Sequence, residues 1–249
     1  MSGTIAIVTG ASRGLGAALA RQLAASVQQL ITVSRNSDEQ TAQIAQASGC
    51  HHVHYGHDLS DVQHIEAAAL GIFTPLDLTA SRYLLINNAG SLGPVGQFDT
   101  LKDAVAVSDT FNLNVTSAML MTTALLRATK HLDADVQVVN ISSGAGRSPT
   151  AGWGVYCATK AALDMYTRVA RLEAPRARLV SLAPGVIDTT MQQDIRSTAA
   201  QDFPDLDRFK TLNDTGALAS PQAVAEKIIR YINSDDFASK EIDDIRQYN

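Results

Sequence analysis

The passage from Thr4-Ile5-Ala6-Ile7-Val8 into Thr9-Gly10-Ala11-Ser12-Arg13-Gly14-Leu15-Gly16 constrains this chain more than any other feature. A short apolar, β-branched run with no polar face reads as a strand buried on both sides. Three glycines follow at once, and beyond them Leu15, Leu19 and Leu23 recur at the four-residue spacing of a helix face. Strand, glycine turn and helix in that order make a tight turn whose backbone can approach a ligand closely. The turn ends on a helix N-terminus, which favours negative charge. In that context a glycine triplet reads as a dinucleotide pyrophosphate site rather than as one more glycine-rich turn.

The rest of the chain repeats the alternation. Strands are expected over Leu30–Ser34, His52–Tyr55, Tyr83–Asn87, Val136–Ile141 and Ala177–Ala183, with a weak one near Glu241–Ile245. Helical patterns cover Gly16–Ala25, Asp38–Ala47, Asp61–Ile72, a long stretch over Leu101–His131, then Val155–Glu173 and Pro221–Ile232. Such alternation predicts an α/β fold: a Rossmann-type doubly wound parallel sheet of order 3-2-1-4-5-6-7, helices on both faces, ligands beyond the carboxyl ends of the strands. With 249 residues and no compositional break, one domain over 1–249 is expected. Gly185–Ala219 shows no sustained period, is rich in polar residues and contains Pro204. Following a strand end directly, this stretch reads as a structureless lid over the ligand site, at about 186–219, with a short helical excursion on the surface as the alternative.

Charge and composition exclude other classes. The 20 Lys and Arg residues are scattered in a chain of net charge −5, without the basic stripe that a nucleic acid requires. No apolar run is long enough to span a bilayer, and no signal-like leader precedes Thr4. Cys50 and Cys157 do not make a disulfide framework, so a cytoplasmic setting is expected. His51, His52, His54 and His57 are dense, but strand geometry puts His52 and His54 on one face and turns the others away. With no carboxylates in a ligand-like pattern beside them, no metal is expected.

The second strand ends at Ser34-Arg35, where an NAD site usually places an acidic residue for the ribose. An arginine there suits the 2′-phosphate of NADP, and Arg13 in the glycine loop offers a second guanidinium. Asp38 and Glu39 arrive too late to take the acidic role. The cofactor expected is therefore NADP(H).

Tyr156 and Lys160 stand four apart in a helical pattern, which puts both on one face. A free phenol titrates near 10, so its use in acid–base chemistry near neutrality calls for a neighbouring positive charge. Ser143 lies just past the strand Val136–Ile141, Asn114 lies within the long helical stretch, and Asn87-Asn88-Ala89-Gly90 ends another strand. Together with the Gly-x3-Gly-x-Gly spacing of the first loop, these elements resemble the short-chain dehydrogenase/reductase family over nearly the whole chain. The resemblance implies that Tyr156 donates a proton to a carbonyl oxygen and that Ser143 orients that oxygen. It implies that Lys160 lowers the phenol's pKa and holds the nicotinamide ribose, while Asn114 positions a water behind Lys160. It also lays the cofactor along Gly10, Ser12, Arg13, Gly14, Leu15 and Gly16, then Ser34 and Arg35, with Asp58 and Leu59 at the adenine. Asn88, Ala89 and Gly90, with Pro184, Gly185, Ile187, Thr189 and Met191, complete that path, and Tyr156 and Lys160 share it.

Asn140-Ile141-Ser142-Ser143-Gly144-Ala145-Gly146, Gly152-Trp153-Gly154-Val155-Tyr156-Cys157 and Asp188-Thr189-Thr190-Met191-Gln192 narrow the likeness. They resemble the sepiapterin-reductase-like branch, and within it the bacterial benzil reductases that form (S)-benzoin. Trp153 and Met191 then become candidates for an apolar wall facing an aromatic ketone, beside Ser143 and Tyr156; the alternative is that Trp153 only packs the lid. Pterin reductases of this branch hold the pterin with an acidic residue near the C-terminus. Gln247 occupies the expected place here, with Asp243 and Asp244 close by. Cys157, beside the tyrosine, is explained by packing. A nucleotide-sensing protein without catalysis is the reading from a different class. The resemblance also implies a homodimer formed through Leu101–His131 and Val155–Glu173, with Ala158, Ala161 and Ala162 permitting close approach.

Overall fold

The computed structural model describes residues 3–248. Seven parallel strands form one sheet: β1 (Thr4–Thr9), β2 (Gln29–Ser34), β3 (His51–Gly56), β4 (Arg82–Asn87), β5 (Asp135–Ile141), β6 (Arg178–Ala183) and β7 (Ile242–Asp244). Their spatial order is β3-β2-β1-β4-β5-β6-β7. The winding reverses between β1 and β4, whose neighbours in sequence lie to opposite sides, so their carboxyl ends open a crevice there.

Strand periodicity builds both cores. Ala6 and Val8 face one side of β1 and join Leu84, Ile86, Val180 and Leu182. Over them pack α1 (Gly14–Ala24), through Leu19 and Leu23, and α9 (Pro221–Ile232), through Val224 and Ile228. Ile5 and Ile7 face the other side with Leu85, Val138 and Leu179, under α3 (Val62–Phe73) and Met121 and Leu125 from the helix Ser117–Thr129. Each aliphatic side chain buried in this way contributes about 1.5–3 kcal/mol. Between β2 and β3 lies α2 (Glu39–Ser48), opened by Asp38, whose carboxylate accepts from the Thr41 N–H and pairs with Arg21 at 2.8 Å. The paired His52 and His54 share a face of β3, and both rings hydrogen-bond to the Thr32 hydroxyl, at 2.9 and 3.1 Å.

Two segments differ from the sequence expectation. The long helix over Leu101–His131 is divided into α4 (Ala104–Phe111) and α5 (Ser117–Thr129) by one π turn, Asn112–Thr116. The extra residue in that turn swings Asn114 inward, where polar atoms of Ser91 and Thr159 receive it. The polar stretch after Gly185 is not structureless. It forms α7 (Thr190–Arg196) and α8 (Leu206–Asp214), held down by Ile195, Phe203, Leu206 and Phe209. Helices this short have too few turns to show a period, and tertiary packing rather than propensity stabilises them. They cluster against Trp153 and Tyr156, at the start of α6 (Gly154–Glu173).

Phe203 is the fully buried centre of that cluster, its ring stacked on Trp153 at 4.9 Å. Phe203→Ala is expected to cost about 3 kcal/mol from the cavity it leaves. Limited proteolysis should show new cleavage within 190–214 ahead of the rest of the chain, and a lower Tm in thermal unfolding should accompany it.

Candidate active site

Beyond the carboxyl ends of β1, β2, β4, β5 and β6 lies a cavity of about 810 Å³, covered by α7 and α8. Every residue that sequence reasoning assigned to cofactor or substrate lines it, and Asn114 stands just behind.

The end of the cavity under β1 is shaped by backbone. Gly10 adopts φ of +67°, and a Cβ there would sit 2.8 Å from the Ala89 Cα. A Cβ on Gly16 would lie 2.1 Å from the Gly10 carbonyl oxygen. Only glycine lets β1, α1 and the end of β4 come this close. The residue before α1, Arg13, offers no side-chain cap, so the first N–H groups of that helix open toward the cavity. Arg13 and Arg35 are exposed at this end, and Arg35 approaches the Asp58 carboxylate at 3.7 Å. Burial would raise the Asp58 pKa, but the Ser60 N–H and hydroxyl and the Arg35 charge outweigh it and hold the carboxylate below its ordinary range. Asp58 therefore makes a turn with Ser60, while Asp61 caps α3. The Ser34 hydroxyl is engaged with the Asn36 carbonyl at 2.8 Å. An uncapped helix, a glycine cradle and two exposed guanidiniums fit the pyrophosphate and 2′-phosphate of a dinucleotide.

Toward β5 the cavity gathers hydroxyl and ammonium groups. Tyr156 and Lys160 are both buried on α6, with the Lys160 ammonium 5.7 Å from the phenol ring centre. Burial pushes the Tyr156 pKa above its ordinary value, and the Ser143 hydroxyl beside it pulls the other way. The phenol is thus held protonated, as a donor should be. The Ser143 oxygen accepts from the Ala145 N–H at 3.2 Å, which leaves its own O–H free to donate. Lys160 Nζ donates to the Ile141 carbonyl at 2.8 Å, and burial lowers its pKa to about 8 against the opposing pull of Asp164. The Asn114 carboxamide is fully engaged: it donates to the Ser91 carbonyl and the Thr159 hydroxyl and accepts from the Ser91 N–H. That bonding fixes the wall behind Lys160 and leaves the Asn114 carbonyl oxygen beside Gly90, 3.2 Å from where a Cβ would stand.

Trp153 packs the 186–219 segment and also lines the cavity. Its ring stacks on Phe203, meets Tyr156 edge-on at 5.7 Å, and touches Phe209 at 5.2 Å. Met191, Leu92 and Phe209 complete an apolar wall. Arg208 on α8 and Arg246 are the cationic side chains among the cavity residues that sequence reasoning missed. The tail residue that reaches the cavity is Arg246, not Gln247. Gln247 accepts from Lys240 at the surface, while Arg246 is gripped by Asp244 through two bonds of 2.9 and 2.6 Å, its stem over Gly185. Nothing in the sequence marks Arg246, because its direction depends on a single helical turn after β7.

One end of this cavity has the shape and charge for a dinucleotide and the other a buried phenol beside an ammonium. The chain belongs to the short-chain dehydrogenase family, whose model matches residues 4–200. It is 36% identical over 241 residues to a benzil reductase ((S)-benzoin forming) of Bacillus cereus, covering 95% of this chain and 96% of that protein. It is 39% identical over 248 residues to sepiapterin reductase of Rattus norvegicus, covering 94% and 93%. Among solved structures, a short-chain dehydrogenase/reductase from Burkholderia vietnamiensis matches with a TM-score of 0.67 at 34% identity, covering 98% of this chain and 97% of that one.

Gly16→Ala tests the cradle. The new methyl collides with the Gly10 carbonyl, so the loop must open at a cost of about 1–3 kcal/mol. Urea unfolding should show that loss, and titration with a nicotinamide dinucleotide, followed by fluorescence, should show at least tenfold weaker binding.

Proposed function

We propose that this protein is an NADPH-dependent carbonyl reductase that reduces one carbonyl of an aromatic α-diketone such as benzil. The observation that carries this reading is the buried Tyr156–Lys160 pair opening onto a wall of Trp153, Phe209, Leu92 and Met191. A flat aromatic ketone against that wall presents its carbonyl oxygen to the Tyr156 and Ser143 hydroxyls. The likeness to benzil reductase over 95% of the chain supports the same substrate class.

In this reading the path from the glycine cradle to the Pro184-Gly185 turn would hold NADPH, whose chemistry there would be hydride donation to the carbonyl carbon. Arg13 and Arg35 bind its 2′-phosphate; Asp58 and Leu59 flank the adenine. Asn88, Ala89 and Gly90 border its middle, and Ile187, Thr189 and Met191 border the nicotinamide. Ser143 donates to the carbonyl oxygen and orients it. Tyr156 transfers its phenolic proton to that oxygen as negative charge develops there. Lys160, as an ammonium, stabilises the phenolate left behind and holds the ribose. Asn114 shapes the path by which the proton is replaced. The 186–219 segment, with α7 and α8, acts as a lid that keeps water from the reacting carbon.

A pterin substrate is the second reading, on the strength of the sepiapterin reductase likeness. Arg246 speaks against it, because the tail presents a cation where an acid would grip the electron-poor pterin amine. As a single chain in the cytoplasm, the enzyme would still expose Met119, Met165, Val169 and Leu172 on α5 and α6, the last two at 43% and 80%. A homodimer would bury that stripe, and light scattering after size exclusion should return twice the chain mass.

Tyr156→Phe should bind NADPH with near wild-type affinity and lose at least a thousandfold in kcat on benzil; substantial turnover would overturn the mechanism. Side-by-side assays should show benzil reduced far faster than sepiapterin. Replacing Arg13 and Arg35 by Ala should raise KM for NADPH by roughly tenfold or more while leaving NADH little changed. Tight NADPH binding with no reduction across a diketone and quinone panel would point instead to a nucleotide sensor.

A further inference from the structure

Asp164 stands one turn beyond Lys160 on α6, buried, and does not itself line the cavity. A carboxylate in that place is costly unless something answers its charge. Three side chains do so. Ser142 and Ser181 donate to one oxygen at 2.6 and 2.5 Å, and Arg147 Nε donates to the other at 3.1 Å. Ser142 separates Ile141, whose carbonyl holds Lys160, from Ser143. Arg147 is brought in by the turn Gly144–Gly146, packed so tightly on α6 that a Gly146 Cβ would lie 2.8 Å from the Lys160 carbonyl carbon.

We propose that Asp164 is a positioning residue for the reduction, keeping Lys160 charged and fixing the end of β5 that carries Ser143. This rests on the carbonyl-reductase reading above. Charges alternate along one line: Lys160, Asp164, Arg147, and then the tail, where Arg147 reaches the Asp243 carbonyl at 3.5 Å and Asp244 grips Arg246. The other groups facing Lys160 are neutral or protonated. β5 presents the Ile141 carbonyl, the π turn presents Asn114, the end of β4 presents Gly90, and α6 itself presents Tyr156. Asp164 is therefore the anion that offsets the burial of the ammonium, consistent with the direction of its effect on Lys160.

The sign of the effect is fixed whichever member of the Tyr156–Lys160 pair loses its proton first. Removing a nearby anion lowers the pKa of both, and removing a nearby cation raises both. Asp164→Asn keeps the shape and the serine contacts but loses the charge. The alkaline limb of kcat/KM against pH should move down by about one unit, equivalent to about tenfold less activity on that side. Arg147→Met should move the limb up. Ser181→Ala, which keeps the charge, should leave the limb in place whatever it does to Tm. An unmoved or raised limb in Asp164→Asn overturns the proposal, and so does a Ser181→Ala limb that moves as far. Should Asp164→Asn fail to fold, the direction found in Arg147→Met decides: upward supports the proposal, unmoved or downward overturns it. Tyr156→Phe in the same series separates the two levels. Retained turnover there defeats the reductase mechanism itself, whereas an inactive Tyr156→Phe with an unmoved Asp164→Asn limb defeats only this inference.

Discussion

At the switch point of the sheet, the Asn88 carboxamide donates to the Thr9 and Gly10 carbonyls at 3.0 and 3.1 Å. In return the Thr9 hydroxyl oxygen accepts from the Asn88 and Ala89 N–H groups, both at 3.0 Å. Four hydrogen bonds thus tie the end of β4 to the end of β1 at the place where the two chains would otherwise splay. Each is worth only about 1 kcal/mol net, but a buried backbone group left unpaired there would cost more than its bond returns. The glycines matter because of this tie: Gly10 and Gly16 are where the two strand ends and α1 converge with no room for a Cβ. The open N-terminus of α1, the cavity floor and the placing of Gly90 beside Lys160 all follow from it.

A second polar seam runs beneath the catalytic end. Asn87 donates to Asn140 at 2.8 Å and to Thr122, and Asn140 donates to Thr167 on α6 at 2.9 Å. Asn114 adds Ser91 and Thr159, and Asp164 adds Ser142 and Ser181. An apolar interface between α6 and the sheet would allow the helix to slide by a fraction of a turn. Directional bonds at successive positions of α6 do not, and a hydride-transfer site tolerates little displacement of its proton donor.

The strands were legible with boundaries differing by a residue or two, most clearly β1, β2 and β4, because central parallel strands buried on both faces must be apolar nearly end to end, whereas the edge strands β3 and β7 carry polar residues. Legibility failed where the local signal was weak or the determinant was distant. The π turn at Asn112–Thr116 looks like ordinary helix in sequence, since its cause is a bond from Asn114 to Ser91, 23 residues away. α7 and α8 hide among polar residues because their order comes from Ile195, Phe203, Leu206 and Phe209 packing on Trp153. Arg246 escaped notice for the same reason, its direction being set by Asp244 after a strand of three residues.

The alternation of apolar strand runs with helical patterns determined the parallel sheet covered on both faces, and the glycine loop after the first strand marked the crevice as a dinucleotide site, because both signals are local in the chain. Sequence spacing also put Tyr156 and Lys160 on one helix face. Tertiary structure decided what surrounds them: the burial that raises the phenol's pKa, the apolar wall that Trp153 builds with the 186–219 segment, and the buried Asp164 that answers the ammonium. Those depend on desolvation and on contacts between residues distant in the chain, which no local pattern encodes.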